Sequence, residues 1–331
     1  MMGVVAIVVS LGVAAWTTAR LARASGRLRI LDHPNARSLH AAPTPRTGGL
    51  GVWTGLLAGG LLLAWQGMLP SPWGWVLVAL LLQAPVAFLD DLRELSPPPK
   101  LLSQFAAAAV VVAGLLPAPG GPWGWLLAAG WLFWLIWMTN LYNFMDGLDG
   151  LAGSQGVSGF AFLGLLFWQG GDPASALFCG VVAAASGGFL FHNLPPARIF
   201  LGDVGSTTLG LLAGVLGLLG VVTGHLPLPL AWLPFLPFLV DATWTLAARG
   251  IRGESVWRAH KEHLYQRLAE SSVGRLRTLR LYQFGMVASG TVAWIAGTFP
   301  PPMQWIVAGF WVILYLAVFI TVNQKVNALQ E

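Results

Sequence analysis

The sequence predicts an all-α polytopic integral membrane protein of about eleven transmembrane helices, with the N-terminus outside and the C-terminus cytoplasmic. Three observations predict it. Of the 331 residues, 56% are hydrophobic and only 9% charged, where soluble domains carry about a quarter charged residues. Apolar windows of about 17–20 residues, long enough to cross a bilayer core, fall near 2–18, 49–66, 73–89, 101–117, 123–139, 151–168, 174–191, 207–224, 229–247, 281–298 and 303–322. With eleven windows, all 18 Lys and Arg fall in the odd-numbered gaps, the side that short-loop bias assigns to the cytoplasm.

The first window has no basic residue before it and Arg20, Arg23, Arg27 and Arg29 after it, so it reads as a retained span rather than a cleavable signal peptide. Residues 67–72, 118–122, 169–173, 225–228 and 299–302 contain no Lys or Arg, and Asp172 is the one acid among them. The ninth window is the least regular, because Pro227, Pro229, Pro234 and Pro237 interrupt it. The net charge of +5 follows from the one-sided loops, which suit anionic lipid headgroups and need no nucleic acid. Cys179 is alone inside a span, which excludes a disulfide and a thiolate metal site. Residues 1–331 read as a single membrane-embedded domain, with the loop 249–280 completing its active site.

The stretch from Asn140 to Ala152, reading NLYNFMDGLDGLA, lies between two apolar spans. Asn140, Asn143, Asp146 and Asp149 recur every third residue, while Gly147 and Gly150 favour a frayed helix end. Oxygen ligands beside open backbone N–H groups suit magnesium and phosphate; a polar helix–loop–helix cap is the plainer alternative. In the first cytoplasmic loop, Arg37, Ser38, His40, Thr44 and Arg46 precede Gly48, Gly49 and Gly51. These donors beside a glycine-rich helix start form a candidate phosphate site. Asp90 and Asp91 end the third window, and an adjacent pair of acids at a membrane face suits a metal or a general base. Asp203 sits between Gly202 and Gly205 at a helix start, and His192 and Asn193 end the span before it. In the fifth loop His260, His263 and Arg267 share one face if the segment is helical, a candidate pyrophosphate clamp. Zinc is disfavoured because no third ligand lies nearby. Asp241 is either an intramembrane functional acid or a residue of the cytoplasmic helix end.

Five blocks, RSLHAAPTPRTGGLG, FLDDL, NLYNFMDGLDGLAG, ARIFLGDVGS and HKEHLYQRL, run in that order between Arg37 and Leu268. Together they resemble the polyprenyl-phosphate N-acetylhexosamine-1-phosphate transferase family (glycosyltransferase family 4). The form is closest to the bacterial undecaprenyl-phosphate GlcNAc or 6-deoxy-HexNAc-1-phosphate transferases that initiate O-antigen. The resemblance implies transfer of HexNAc-1-phosphate from a UDP-N-acetylhexosamine to undecaprenyl phosphate at the cytoplasmic face of a bacterial inner membrane, with release of UMP. It implies Mg2+ (or Mn2+) as cofactor and a homodimer. By matching position, it implies that Asp203 and Asn143 hold the metal and that Asp90 or Asp91 is the base. Asp146 and Asp149 become further essential acids, and Lys100, Asn193, His263 and Arg267 contact the nucleotide side, with Arg46 added from the first loop. Tyr265 and Gln266 stand where many relatives have His, and are expected to face the donor sugar. Direct attack is favoured over a phospho-aspartyl intermediate, because a metal-bound Asp is a poor nucleophile. The competing class is a transporter using the acids as a cation or proton path.

Overall fold

The computed structural model describes residues 2–23, 30–33, 43–69, 72–255 and 260–328. Arg27, Arg29, Arg37, Ser38 and His40 of the first loop lie outside them. Twelve α-helices are present among the described residues: α1 (Met2–Ala22), α2 (Gly48–Trp65), α3 (Trp73–Arg93), α4 (Pro97–Leu115), α5 (Pro122–Phe144), α6 (Leu151–Gln169), α7 (Pro173–Asn193), α8 (Gly202–Val222), α9 (Leu236–Ile251), α10 (Leu264–Glu270), α11 (Arg275–Ala296) and α12 (Pro301–Ala328). Nine of them, α1 to α8 and α12, are long and apolar enough to cross a membrane, so this is a multi-pass membrane protein. The other two expected spans differ. The prolines of the ninth break its start into turns and a short 3-10 segment, Leu233–Phe235, leaving α9 only 16 residues long. The tenth coincides with α11, whose first turns carry Arg275, Arg277 and Arg280.

Local sequence chemistry sets many of the boundaries. Proline opens α4, α5, α7 and α12, where its missing N–H costs nothing. Asp172 caps α7 by accepting the Ser175 N–H at 3.0 Å. Helix α8 is the axis of the bundle: 94% of its apolar window is buried, against 11% for α12. Around it pack α2, α3 and α5, with α1 and α7 behind α2 and α6 against α7.

Two short β-strands, β1 (Leu31–Asp32) and β2 (Thr44–Pro45), pair antiparallel, Leu31 opposite Pro45. They pin both described ends of the first loop against the approach to α8, where the Phe200 N–H donates to the Pro45 carbonyl at 2.7 Å. The glycine-rich start of α2 then meets the same segment. The Gly48 N–H donates to the Phe200 carbonyl at 2.9 Å and the Gly49 N–H to the Leu201 carbonyl at 2.7 Å. A Cβ on Gly49 would lie 2.4 Å from the Gly205 nitrogen. These glycines serve backbone-to-backbone packing, and the N–H groups of Gly48 and Gly49 are already bonded.

Candidate active site

Helices alternate in direction, so the ends of α3, α5 and α7 and the starts of α4, α6 and α8 gather on one side. There they enclose a cleft of about 1300 Å³. Its wall includes Arg46, Asp90, Lys100, Asn143, Asp146, Asp149, Asn193, Asp203, His260 and His263. Sequence-distant blocks therefore do meet at one place. Past the acids, the cleft continues between α3, α4, α5 and α9 over Val86, Leu101, Trp134, Ile136, Leu239 and Leu246.

The adjacent acids Asp90 and Asp91 face different ways. Helix α3 ends at Glu94, whose φ of 49° turns the chain back on itself. That turn brings Lys100 over Asp90, Nζ to Oδ2 2.7 Å, and lets the Leu95 N–H donate to Asp90 Oδ1 at 2.6 Å. The Asp90 carboxyl also lies near that of Asp203. Asp91, only 3% exposed, points behind the cleft. Its carboxylate accepts the N–H groups of Asp203 at 2.9 Å and Val204 at 3.2 Å, while Arg46 Nη2 donates to its carbonyl at 2.5 Å. It thus satisfies the open first turn of α8 and complements that helix's dipole. Gly202 makes the approach feasible: its φ is 74° and a Cβ there would meet Asp91 Oδ2 at 2.9 Å. Of the two acids left open as the base, Asp90 faces the cleft, whereas Asp91 holds the backbone at Asp203.

The central stretch frays as its glycines predicted. Helix α5 ends at Phe144 and α6 starts at Leu151, leaving Asp146 and Asp149 on the turn between. Asn143, in the last turn of α5, accepts the Ser206 hydroxyl of α8 at 2.6 Å through Oδ1. Asp149 Oδ2 accepts the Ala197 N–H at 3.0 Å. Asp146 opens to the cleft but is enclosed by protein beyond it. Burial first, then the charges of Asp91, Asp149 and Asp32, hold its carboxyl well above the usual carboxylate range. Asn193 lines the cleft, yet both ends of its amide are bonded to backbone. Its Oδ1 accepts the Gly150 N–H and its Nδ2 donates to the Ile199 carbonyl, both at 2.9 Å. It ties the start of α6 to the approach to α8 while lining the cleft.

Asp241 lies in α9, fully buried. Its carboxylate accepts the Leu264 N–H at 2.9 Å, the Tyr265 N–H at 3.1 Å and the hydroxyls of Tyr282 and Thr245. His263 Nδ1 stands 3.5 Å from Asp241 Oδ1. Asp241 therefore docks the first turn of α10, as Asp91 docks that of α8. The shared helical face expected for His260, His263 and Arg267 is corrected: α10 begins only after His263. His260 and His263 both reach the cleft, rings 4.8 Å apart, whereas Arg267 does not line it and donates to Asn323 Oδ1 of α12 at 2.6 Å. Burial first, then the positive potential of His263 and Arg249, pushes the His260 imidazole down to about 4. Arg249 and Arg252 form ion pairs with Glu254 and Glu262. Tyr265 is wholly buried and donates its hydroxyl to the Phe144 carbonyl at 3.1 Å. It supports the Asp146 turn from behind, which corrects the expectation that it faces a sugar; Gln266 does line the cleft.

Residues 73–221, from α3 through α8, match the family model described as glycosyl transferase family 4. That stretch, 149 of the 331 residues, is what the chain shares with glycosyl transferase family 4. A Bacillus subtilis (strain 168) protein named probable undecaprenyl-phosphate N-acetylglucosaminyl 1-phosphate transferase is 28% identical over 302 residues, covering 86% of this chain and 83% of that protein. The phospho-N-acetylmuramoyl-pentapeptide-transferase of Synechococcus elongatus is 36% identical over 217 residues, 59% of each chain. That of Microcystis aeruginosa is 46% identical over 67 residues, covering 20% of this chain and 18% of its own. The family 4 match takes in Asp90, Lys100, Asn143, Asp146, Asp149, Asn193 and Asp203; Arg46 and the 260–267 segment lie outside it. Asp32, Gln83 and Gln104 also line the cleft and were not singled out as site residues. For Gln83 a signal existed: it is an amide inside an apolar window, seven residues before Asp90 and so on the same helical face.

Proposed function

We propose that this protein is a glycosyl transferase of family 4 that transfers a HexNAc-1-phosphate from a UDP-N-acetylhexosamine to undecaprenyl phosphate, releasing UMP. The observation that carries the reading is the single cleft with acids, a lysine and imidazoles at one end and an apolar groove at the other. One end suits a polyanionic soluble donor and the other a polyprenyl chain. The names of the relatives support the same reaction class. The charge partition supports placing the polar end on the cytoplasmic side of a bacterial inner membrane, and the block pattern supports a role in starting O-antigen or a related surface glycan. Asp241, the intramembrane acid that best suited a transport path, is spent on backbone N–H groups and hydroxyls, which weighs against transport.

The donors facing the polar end are oxygens: Asp203, Asn143 and Asp90. Among the described residues no group of three or more His, Cys, Asp or Glu is arranged to hold a metal. That set fits magnesium, which is usually held by one or two carboxylates with substrate phosphates completing its shell, and does not fit a closed zinc site. Asp203 and Asn143 would hold it, with Asp90 beside them. A cation held there would supply positive charge to pyrophosphate oxygens and so favour departure of UMP.

The chain's own residues do the rest. A phosphate oxygen of the lipid bonds to the sugar-bearing phosphorus as the bond from that phosphorus to the UMP oxygen breaks. A phosphate monoester with a second pKa near about 6 arrives largely deprotonated, so Asp90 has at most one proton to accept. Lys100, held by Asp90, supplies positive charge at the reacting oxygens, and His263 and Arg46 flank the departing nucleotide. Asp146 and Asp149 shape the turn beneath it. The test is UMP release by purified protein given UDP-GlcNAc and undecaprenyl phosphate together, and none with either alone. Release independent of the lipid would point to a hydrolase instead.

A further inference from the structure

Beneath the charged end of the cleft lies a second layer of polar side chains, all neutral. Lys100 is followed one turn deeper on α4 by Gln104, Asp203 on α8 by Thr207, and Asn143 on α5 by Asn140. One turn is about 5–6 Å of depth. Gln104 and Asn140 bond to each other reciprocally, at 2.6 and 3.3 Å. Two turns below Asp90, on the same face of α3, is Gln83. Its side chain lines the cleft, it is 2% exposed, and neither Nε2 nor Oε1 has a hydrogen-bond partner among the described residues.

A buried amide with both ends unpaired destabilises a fold, and replacing it with an apolar group of the same shape would relieve that cost. Placed in the cleft wall inside an apolar window, this amide points to a ligand whose oxygen accepts its Nε2 N–H. The polar group to be met must travel into the membrane half of the cleft, past which the wall is Val86, Leu101, Trp134 and Ile136. A nucleotide has no reason to enter there; a phosphate on an apolar chain does. Neutral N–H donors also suit that phosphate better than the upper layer, where carboxylates would repel it.

We propose that Gln83, with the Gln104–Asn140 pair above it, receives the phosphate of the lipid acceptor as it enters from the apolar groove, before it rises to Asp90 and Lys100. This rests on the reaction proposed above, and it makes Gln83 an acceptor-binding residue. The test uses the full-length protein and its Gln83→Met and Gln83→Glu variants, with undecaprenyl phosphate and UDP-GlcNAc as probes. Two readouts are taken: KM for each substrate, and the rise in melting temperature that each substrate confers, which reports binding without turnover. The loss of one hydrogen bond to a charged group predicts a KM for undecaprenyl phosphate about 10- to 100-fold higher in Gln83→Met, and higher still in Gln83→Glu. The KM for UDP-GlcNAc stays unchanged. The stabilisation by undecaprenyl phosphate is expected to disappear in both variants, while the ligand-free Gln83→Met protein melts no lower than wild type. An unchanged lipid response in Gln83→Met, a defect confined to UDP-GlcNAc, or a lower melting temperature with both KM values intact would each overturn the assignment. A wild type that is stabilised by the lipid through Gln83 yet releases no UMP would refute the reaction and leave the site standing.

Discussion

Replacing Asp90 and Asp91 singly by Asn separates two jobs that adjacent acids perform. Asp91 is buried and accepts two N–H groups from the first turn of α8, at 2.9 and 3.2 Å. A hydrogen bond to a charged group contributes about 1.5–3 kcal/mol and a neutral one about 0.5–1.5. The amide keeps one acceptor and turns a donor toward the second N–H, so Asp91→Asn should cost about 2–4 kcal/mol. That corresponds to a melting temperature lower by several degrees. Asp203 would still be carried on α8, so UMP release at low temperature should stay within about tenfold of wild type. Asp90→Asn should do the reverse. Its pair with Lys100 is partly exposed, with Lys100 33% accessible, and contributes at most about 1 kcal/mol. Removing its charge also relieves its opposition to Asp203. Melting should hardly move while activity falls about 100-fold or more, the usual effect of removing a group that acts at the reacting atoms. Thermal melting in detergent beside UMP release measures both. An inactive Asp91→Asn protein that melts like wild type would refute the division of labour, as would an Asp90→Asn protein that is the destabilised one.

Three further outcomes follow from the same geometry. Asp241→Asn should lower activity through a raised KM for the UDP-sugar, because the α10 start that carries His263 loses its docking acceptor; steady-state kinetics at both substrates checks this, and an unchanged KM contradicts it. Tyr265→Phe removes one bond to the Phe144 carbonyl and should leave the ratio of activity on UDP-GlcNAc to that on a 6-deoxy UDP-HexNAc unchanged, whereas Gln266→Leu should shift that ratio by up to about 10–200-fold; competition assays with both donors read it. His260 titrates at about 4 when folded, below its ordinary 6.5, so its contribution to stability is full above pH 6.5 and is lost as pH falls toward 4; His260→Gln should flatten the fall in melting temperature across that window, and an equally steep fall would contradict the assignment.

The spans were legible because an apolar window of sufficient length has few other uses, and each of the eleven windows coincides at least in part with a helix. The windows ended too early where the site begins: α3 runs on through Asp90 to Arg93, and α5 through Asn143 to Phe144. A hydropathy window stops at the first polar residue, while a helix facing a hydrated cleft carries that residue onward. The gathering of Asp90, Asn143, Asp146, Asp149 and Asp203 was likewise legible, since alternating spans place odd gaps on one side. The roles within the cluster were not. Adjacent acids point about 100° apart on a helix, so nothing local distinguishes Asp90 from Asp91, whose partners lie 112 and 113 residues away. The same holds for Asp241, 23 residues from Leu264, and for Arg267, drawn off by Asn323. Three buried side chains, Asp91, Asn193 and Asp241, each hold the start of a helix in place. That use of polar groups is set by tertiary contact alone.

The central claim is that one phosphate moves with the sugar. UDP-GlcNAc labelled with 32P only at the sugar-bearing phosphate, incubated with the purified protein, magnesium and undecaprenyl phosphate, tests it most directly. The account predicts that the label passes to the lipid fraction, that unlabelled UMP is released in equal amount, and that Asp203→Ala abolishes both. Label retained in released UDP, with only the sugar on the lipid, would contradict it.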